Sequence, residues 1–229
     1  MAKSHSEGQM LLVDAGQITE TARPSLRERQ RAEREQLILH EAERLLREEG
    51  YDGLVMDRLA EQVGISKGTI YQHFDKKEAL VGAIILRGLE RISEQLAIQR
   101  ADSERPAAPR LEAILTLLVE ESTAWMSIIT SPKRHELAAA LGDHPGLRDA
   151  RTRFFDGLRT LILQGQERGE FDPAIPAPIA ARFLLSLVGA RAGFAQPGDP
   201  VLPGEEFAAL AVRFYFHGLS LHPVEELSA

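Results

Sequence analysis

"GISKGTIYQHF", residues 64–74, decides how the rest of this chain is read. On a wheel of 100° per residue, Ile70 and Phe74 fall on one side of a helix capped by Ser66. Gly68 and Gln72 fall on the opposite side, flanked by Thr69 and Tyr71, with Lys67 at the amino-terminal end. Just upstream, Ala60 leaves room for a close helix crossing, and Gly64 permits a backbone turn that a side chain would hinder. That is the pattern of a helix-turn-helix. Its outward face has groove-reading chemistry: Gln pairs with adenine, Lys reaches guanine acceptors, and glycine admits close approach to a base edge. Ser66, Tyr71, His73 and Lys77 are suited to holding phosphates. The plainer alternative is a helical hairpin in which Tyr71 and His73 are packing aromatics.

Outward from this stretch the pattern stays helical. Ile38, Ala42, Leu45 and Leu46 share a face of a helix over 27–49 that Gly50 ends. Met56, Leu59, Ala60 and Val63 suggest a short second helix. Leu80, Ile84, Ile85, Leu89, Ile92 and Leu96 line a longer one over 76–100. "ADSERPAAPR" (101–110) is the best candidate linker. Helical patterns follow over 111–130, 133–141, 145–168, 177–194 and 205–221, with Pro145 suited to a first turn and Gly169 to a C-terminal cap. No alternating strand pattern of useful length and no internal repeat is present. The expected fold is all-α, with a loose arm at 1–22, a three-helix head over 23–86 whose fourth helix continues to about residue 100, and a larger helical body over 101–229.

Charge poses a difficulty for a DNA reader. The 229 residues carry a formal charge of −7. Its distribution removes the difficulty: residues 23–34, "RPSLRERQRAER", hold five Arg against two Glu, whereas 92–229 hold 13 basic against 18 acidic residues. Phosphate affinity depends on cations within a Debye length of about 8–10 Å, not on the charge of the whole chain. There are no cysteines, which excludes disulfides, thiolate metal sites and cysteine nucleophiles. Nor is there an HExxH, a Gly-rich phosphate loop or a G-x-S-x-G elbow, so neither an enzyme nor a cofactor is indicated. The most apolar stretch, 175–194, is interrupted by Arg182 and Arg191, so no membrane span is expected and the location is read as cytoplasmic.

The longer string "AERLLREEGYDGLVMDRLAEQVGISKGTIYQHFDKKEAL" (42–80) resembles the DNA-binding head of the TetR family of bacterial transcriptional regulators. Gly50-Tyr51, Leu59-Ala60, the run at 64–74 and Lys77-Glu78-Ala79-Leu80 carry the match. The resemblance implies a homodimeric repressor that reads a near-palindromic operator in double-stranded DNA and is released by a small-molecule effector. It places base reading on Lys67, Gly68 and Gln72, and phosphate contact on Tyr71, His73 and Lys77. One position departs: Val55 stands where the family usually has a Thr that caps the second helix and touches a phosphate. Asp57 could cap a slightly shifted start, and the basic segment 23–34 could grip DNA in compensation or be a solvated lead-in to the first helix.

The body says less. Small residues among large apolar ones over 177–194 and 205–221 suit close helix approach, and by the resemblance the last two helices pair with their copies in the dimer. Trp125, Met126 and Phe155 are the candidate effector-binding residues, from a region that mixes aromatic and polar side chains as a small-molecule pocket requires. The competing reading is a DNA-bound interaction protein whose body engages a non-transcriptional partner.

Overall fold

The computed structural model describes residues 25–129, 131, 133–142, 144, 146–193 and 203–219, with the side chains at 123–129, 134, 190–193 and 219 outside the description. The arm at 1–22 and Pro145 lie outside the described residues. Within them the chain is helical: α1 Leu26–Gly53, α2 Met56–Val63, α3 Lys67–His73, α4 Lys77–Ala101, α5 Ala107–Ile129, α6 Arg134–Gly142, α7 Leu147–Glu167, α8 Ala177–Gly193 and α9 Gly204–Leu219.

Local chemistry accounts for the ends. A capping box opens α1: Ser25 Oγ accepts from the Glu28 N–H, and Glu28 accepts from the Ser25 N–H at 2.7 Å. Residues 26–34, read from sequence as a possible gripping segment, are thus the first turns of α1 and are exposed on every side. Gly50 breaks α1 with φ 71 and ψ −174, a conformation essentially closed to other residues. Gly64 ends α2 with φ 75; its N–H bonds Glu61 O and the Ile65 N–H bonds Ala60 O, the paired closure that favours glycine after a helix. Gly169 closes α7 the same way, through Gly169 to Gln166 and Glu170 to Gly165.

Two sequence readings shift. The expected linker at 101–110 reduces to the loop 102–106, because α5 begins at Ala107. Pro109 does not prevent this: a first-turn residue has no intrahelical use for its N–H. Arg110, in the same stretch, is completely buried. Its guanidinium donates to Pro106 O at 3.2 Å, Gln99 O at 2.9 Å and Gln164 Oε1 at 2.9 Å, so it joins the end of α4, the start of α5 and α7. What reads as a linker is a packed corner. The seventh helix begins at Leu147, after Gly146 in the left-handed region, and not at 145.

The core is one continuous apolar cluster from Ile38 in α1 to Tyr215 in α9. Helix α4 runs through it and packs most extensively on α7, while α5 touches α1, α4, α7, α8 and α9. Fully buried leucines and isoleucines are each worth roughly 1.5–3 kcal/mol over the exposed state, and they occur on both sides of α4. Head and body therefore share a core through that helix.

Candidate nucleic-acid interface

Helix α3 is held against the head by Ile70, fully buried, and by Phe74, 6% exposed, just past its end. Ser66 caps it, accepting from the Thr69 N–H at 3.2 Å and sharing a hydrogen bond with Thr69 Oγ1 at 2.8 Å. The opposite face is open. Lys67, Gly68, Tyr71 and Gln72 are exposed and Thr69 is half-buried beside them.

Gly68 is informative because the fold does not need it. A Cβ built there meets nothing nearer than Ser66 Oγ at 3.9 Å, and its φ lies outside the left-handed region. Glycine in a helix costs up to about 1 kcal/mol relative to alanine. No contact among the described residues offsets that cost.

Two of the remaining candidates are arranged differently from the simple wheel. Lys77 is half-buried, its ammonium 3.9 Å from the centroid of the Tyr51 ring, and burial lowers its pKa. Tyr51 in turn donates its hydroxyl to Glu78 at 2.8 Å, so α1 and the start of α4 fix the lysine. His73 faces inward: its side chain is 4% exposed and its Nδ1 lies 3.4 Å from Glu35 Oε2 on α1. That contact ties α3 to α1.

Val55 is the N-cap of α2 and makes no side-chain cap, as its chemistry requires; it is half exposed. The helix start is not shifted to Asp57. That carboxylate instead pairs with Lys67 Nζ at 2.6 Å, which raises the lysine pKa. Sequence reasoning placed Asp57 and Lys67 ten residues apart without linking them. It also missed Arg31, whose Nη2 donates to Gln72 O at 3.4 Å and brings α1 to the reading helix. An arginine beside a helix C-terminus is the available signal for such a contact, but only after the helices are placed in space.

In the body, a cavity of about 530 Å³ lies between α4, α5, α7 and α8. Its wall is mostly apolar, with Leu89, Ile92, Leu118, Phe154 and Phe155 prominent, and Glu121, Ser122, Arg151, Thr152 and Asp156 supply polar groups. Phe155 therefore stands on the wall. Trp125 and Met126 are on α5, but their side chains lie outside the described residues. On the far side, α8 and α9 present Phe183, Leu210 and Phe214, 59%, 50% and 73% exposed. Tyr215 anchors this pair by donating to Ala180 O at 2.9 Å. Among the described residues no helix is long and apolar enough to cross a membrane.

Comparison with known proteins bears on the same regions. Residues 38–84 match the family model described as bacterial regulatory proteins, tetR family. An uncharacterized HTH-type transcriptional regulator of Mycobacterium tuberculosis, Rv1255c, is 29% identical over 184 residues, 71% of this chain and 90% of its own length. The HTH-type transcriptional repressor AcnR of Corynebacterium glutamicum is 28% identical over 157 residues, 67% of this chain and 77% of its own. Among solved structures, a putative transcriptional regulator from Saccharomonospora viridis in complex with choline superposes with a TM-score of 0.63 at 21% identity, covering 83% of this chain and 100% of the other.

Proposed function

We propose that the chain, whose residues 38–84 match the model of the tetR family of bacterial regulatory proteins, is a homodimeric repressor whose heads read a near-palindromic operator and let go when the body binds a small molecule. Gly68 carries the DNA reading. A glycine on the exposed face of a capped, seven-residue helix costs stability with no internal return, and close approach of a base edge supplies the return. Lys67, Tyr71 and Gln72 surround it in the open, and Ser66, Thr69 and Lys77 border it. His73 orients α3 through Glu35 and stands at the end of the phosphate-contacting set. The related repressor AcnR favours repression over activation.

Pairing of two chains through α8 and α9 is supported by Phe183, Leu210 and Phe214, three large apolar side chains exposed on adjacent helices, an arrangement that marks an interaction surface. Two heads then meet half-sites roughly one helical turn, about 34–36 Å, apart. The body cavity, of a size typical for small-molecule sites, is the effector site, and a solved relative of this fold holds choline. An effector that binds one spacing of the heads better than the other shifts the population by its differential affinity.

Fluorescence anisotropy tests this reading, with duplex DNA flanking the protein's own gene against a scrambled duplex of equal length at physiological salt. A preference of about a thousandfold or more is expected of specific recognition. Equal, weak and steeply salt-dependent binding to both would mean phosphate contact alone and would overturn it.

A further inference from the structure

Glu121 faces two ways. Its carboxylate lines the apolar cavity beside Leu118 and Ser122. It also receives a two-point ion pair from Arg91 on α4, with Nε at 3.1 Å and Nη2 at 2.5 Å. The same Nη2 reaches Glu43 Oε1 on α1 at 3.2 Å. One guanidinium thus ties together α1 of the head, the long helix α4 and the cavity wall α5. The three side chains are 10%, 34% and 22% exposed for Glu43, Arg91 and Glu121, so the group is screened much less than a surface pair.

The two carboxylates are not equivalent. Glu43 has a second cation, Arg47 Nη2 at 3.2 Å, whereas Glu121 has Arg91 as its ion-pair partner among the described residues. A cation brought into the cavity can therefore replace Arg91 at Glu121, and Arg91 retains Glu43. No charge is left alone. An anion that captured Arg91 would instead strand Glu121 in an apolar wall, the costly way to break a partly buried pair. Ser122 adds to the same preference. Its hydroxyl donates to Val119 O at 2.6 Å, which leaves its oxygen lone pairs as acceptors for a donor group.

We propose that the cavity takes an apolar molecule with a cationic nitrogen head seated on Glu121, and that capture of Glu121 frees α5 from the Arg91 clamp on α4 and the head. The inference deepens the effector reading above, and rests on it only for the regulatory consequence. Binding and clamp release are measurable without any operator, so failure of DNA recognition and failure of this proposal are distinguishable.

Calorimetry on the full chain with octylammonium, octanoate and 1-octanol, each below its aggregation concentration, separates the head groups. Octylammonium binding at least tenfold tighter than octanoate and octanol is expected. Glu121→Gln keeps an acceptor for Arg91 and should bring that preference to within about twofold. Arg148→Gln, an exposed position on α7 outside the cavity wall, should leave it unchanged. Amide hydrogen exchange over residues 38–49 should speed up on adding octylammonium to the wild type and not to Glu121→Gln. Tighter binding of octanoate, no measurable binding of the ammonium, or a head-group preference altered by Arg148→Gln and not by Glu121→Gln would overturn the ligand assignment. Ammonium binding with unchanged exchange in α1 would overturn the clamp.

Discussion

Gly64 and Gly68 stand four residues apart and do opposite work. Gly64 is held at φ 75, so a side chain there strains the backbone although a Cβ would meet nothing within 4 Å. Gly64→Ala should lower stability by about 1–2 kcal/mol, the ordinary cost of the left-handed conformation, measured as a fall in the denaturation midpoint. Gly68→Ala should leave stability unchanged or raise it by about 0.5 kcal/mol, by replacing a glycine in the first turn of a helix. Its effect belongs to DNA: operator affinity should fall on the order of tenfold, about 1.4 kcal/mol, by anisotropy. Loss of both stability and affinity in Gly68→Ala would mean that the glycine serves the fold. At this scale sequence reasoning succeeded where chemistry is local. The Ser66 cap, the Gly64 turn and the buried Ile70–Phe74 side all follow from spacing along a few residues. His73 did not follow, because its inward turn depends on Glu35, 38 residues earlier, and Asp57 did not, because its pairing with Lys67 depends on the angle between α2 and α3.

At the scale of elements, the start of α5 is the least legible part of the chain. Two prolines and a polar run suggest a spacer; the structure instead fixes the corner with Arg110 beneath and Glu170 at the helix end. Glu170 Oε2 accepts from the Ala108 N–H at 3.0 Å, and Oε1 accepts from Arg168 Nε at 2.7 Å. An acid at a helix N-terminus satisfies free N–H groups and meets the positive end of the dipole. Burial alone would raise the Glu170 carboxyl; the N–H bonds from Ala108 and Ala107 and the Arg168 guanidinium outweigh it, so its pKa lies below 4.5. Its contribution is therefore full above pH 4.5 and is lost as pH falls through the lowered folded value. Glu170→Ala should cost about 1 kcal/mol at pH 7. The gap between wild type and variant should begin to narrow below pH 4.5, by urea titration across pH 3–7. A gap independent of pH would show that Glu170 acts by packing alone.

For the whole molecule, the paired surface on α8 and α9 is the testable feature. Phe214 is 73% exposed within one chain, so Phe214→Glu should change the stability of a single subunit by no more than about 0.5 kcal/mol. Sedimentation velocity should show a dimer for the wild type and a monomer for the variant. Unchanged sedimentation would place the contact elsewhere. The sequence indicated this region through its small residues, but Phe183, Leu210 and Phe214 became visible as a surface only once the two helices were set side by side. Long-range ties such as Arg91 to Glu43 and Glu121 leave no mark on the local pattern at all, since charged residues on helices usually read as solvated faces.

The apolar cluster that passes without interruption from α1 through α4 into α7 has a consequence for anyone recombining such proteins. The reading end is not a portable cassette. Cutting after residue 86 and grafting it onto a foreign body would remove Arg91 from Glu43 and expose apolar side chains of α1 wherever α5 no longer covers them. A chimera that works must carry α4 to its end at Ala101 and match the α5 surface beneath α1, so the evolvable joint of this molecule lies beyond its fourth helix.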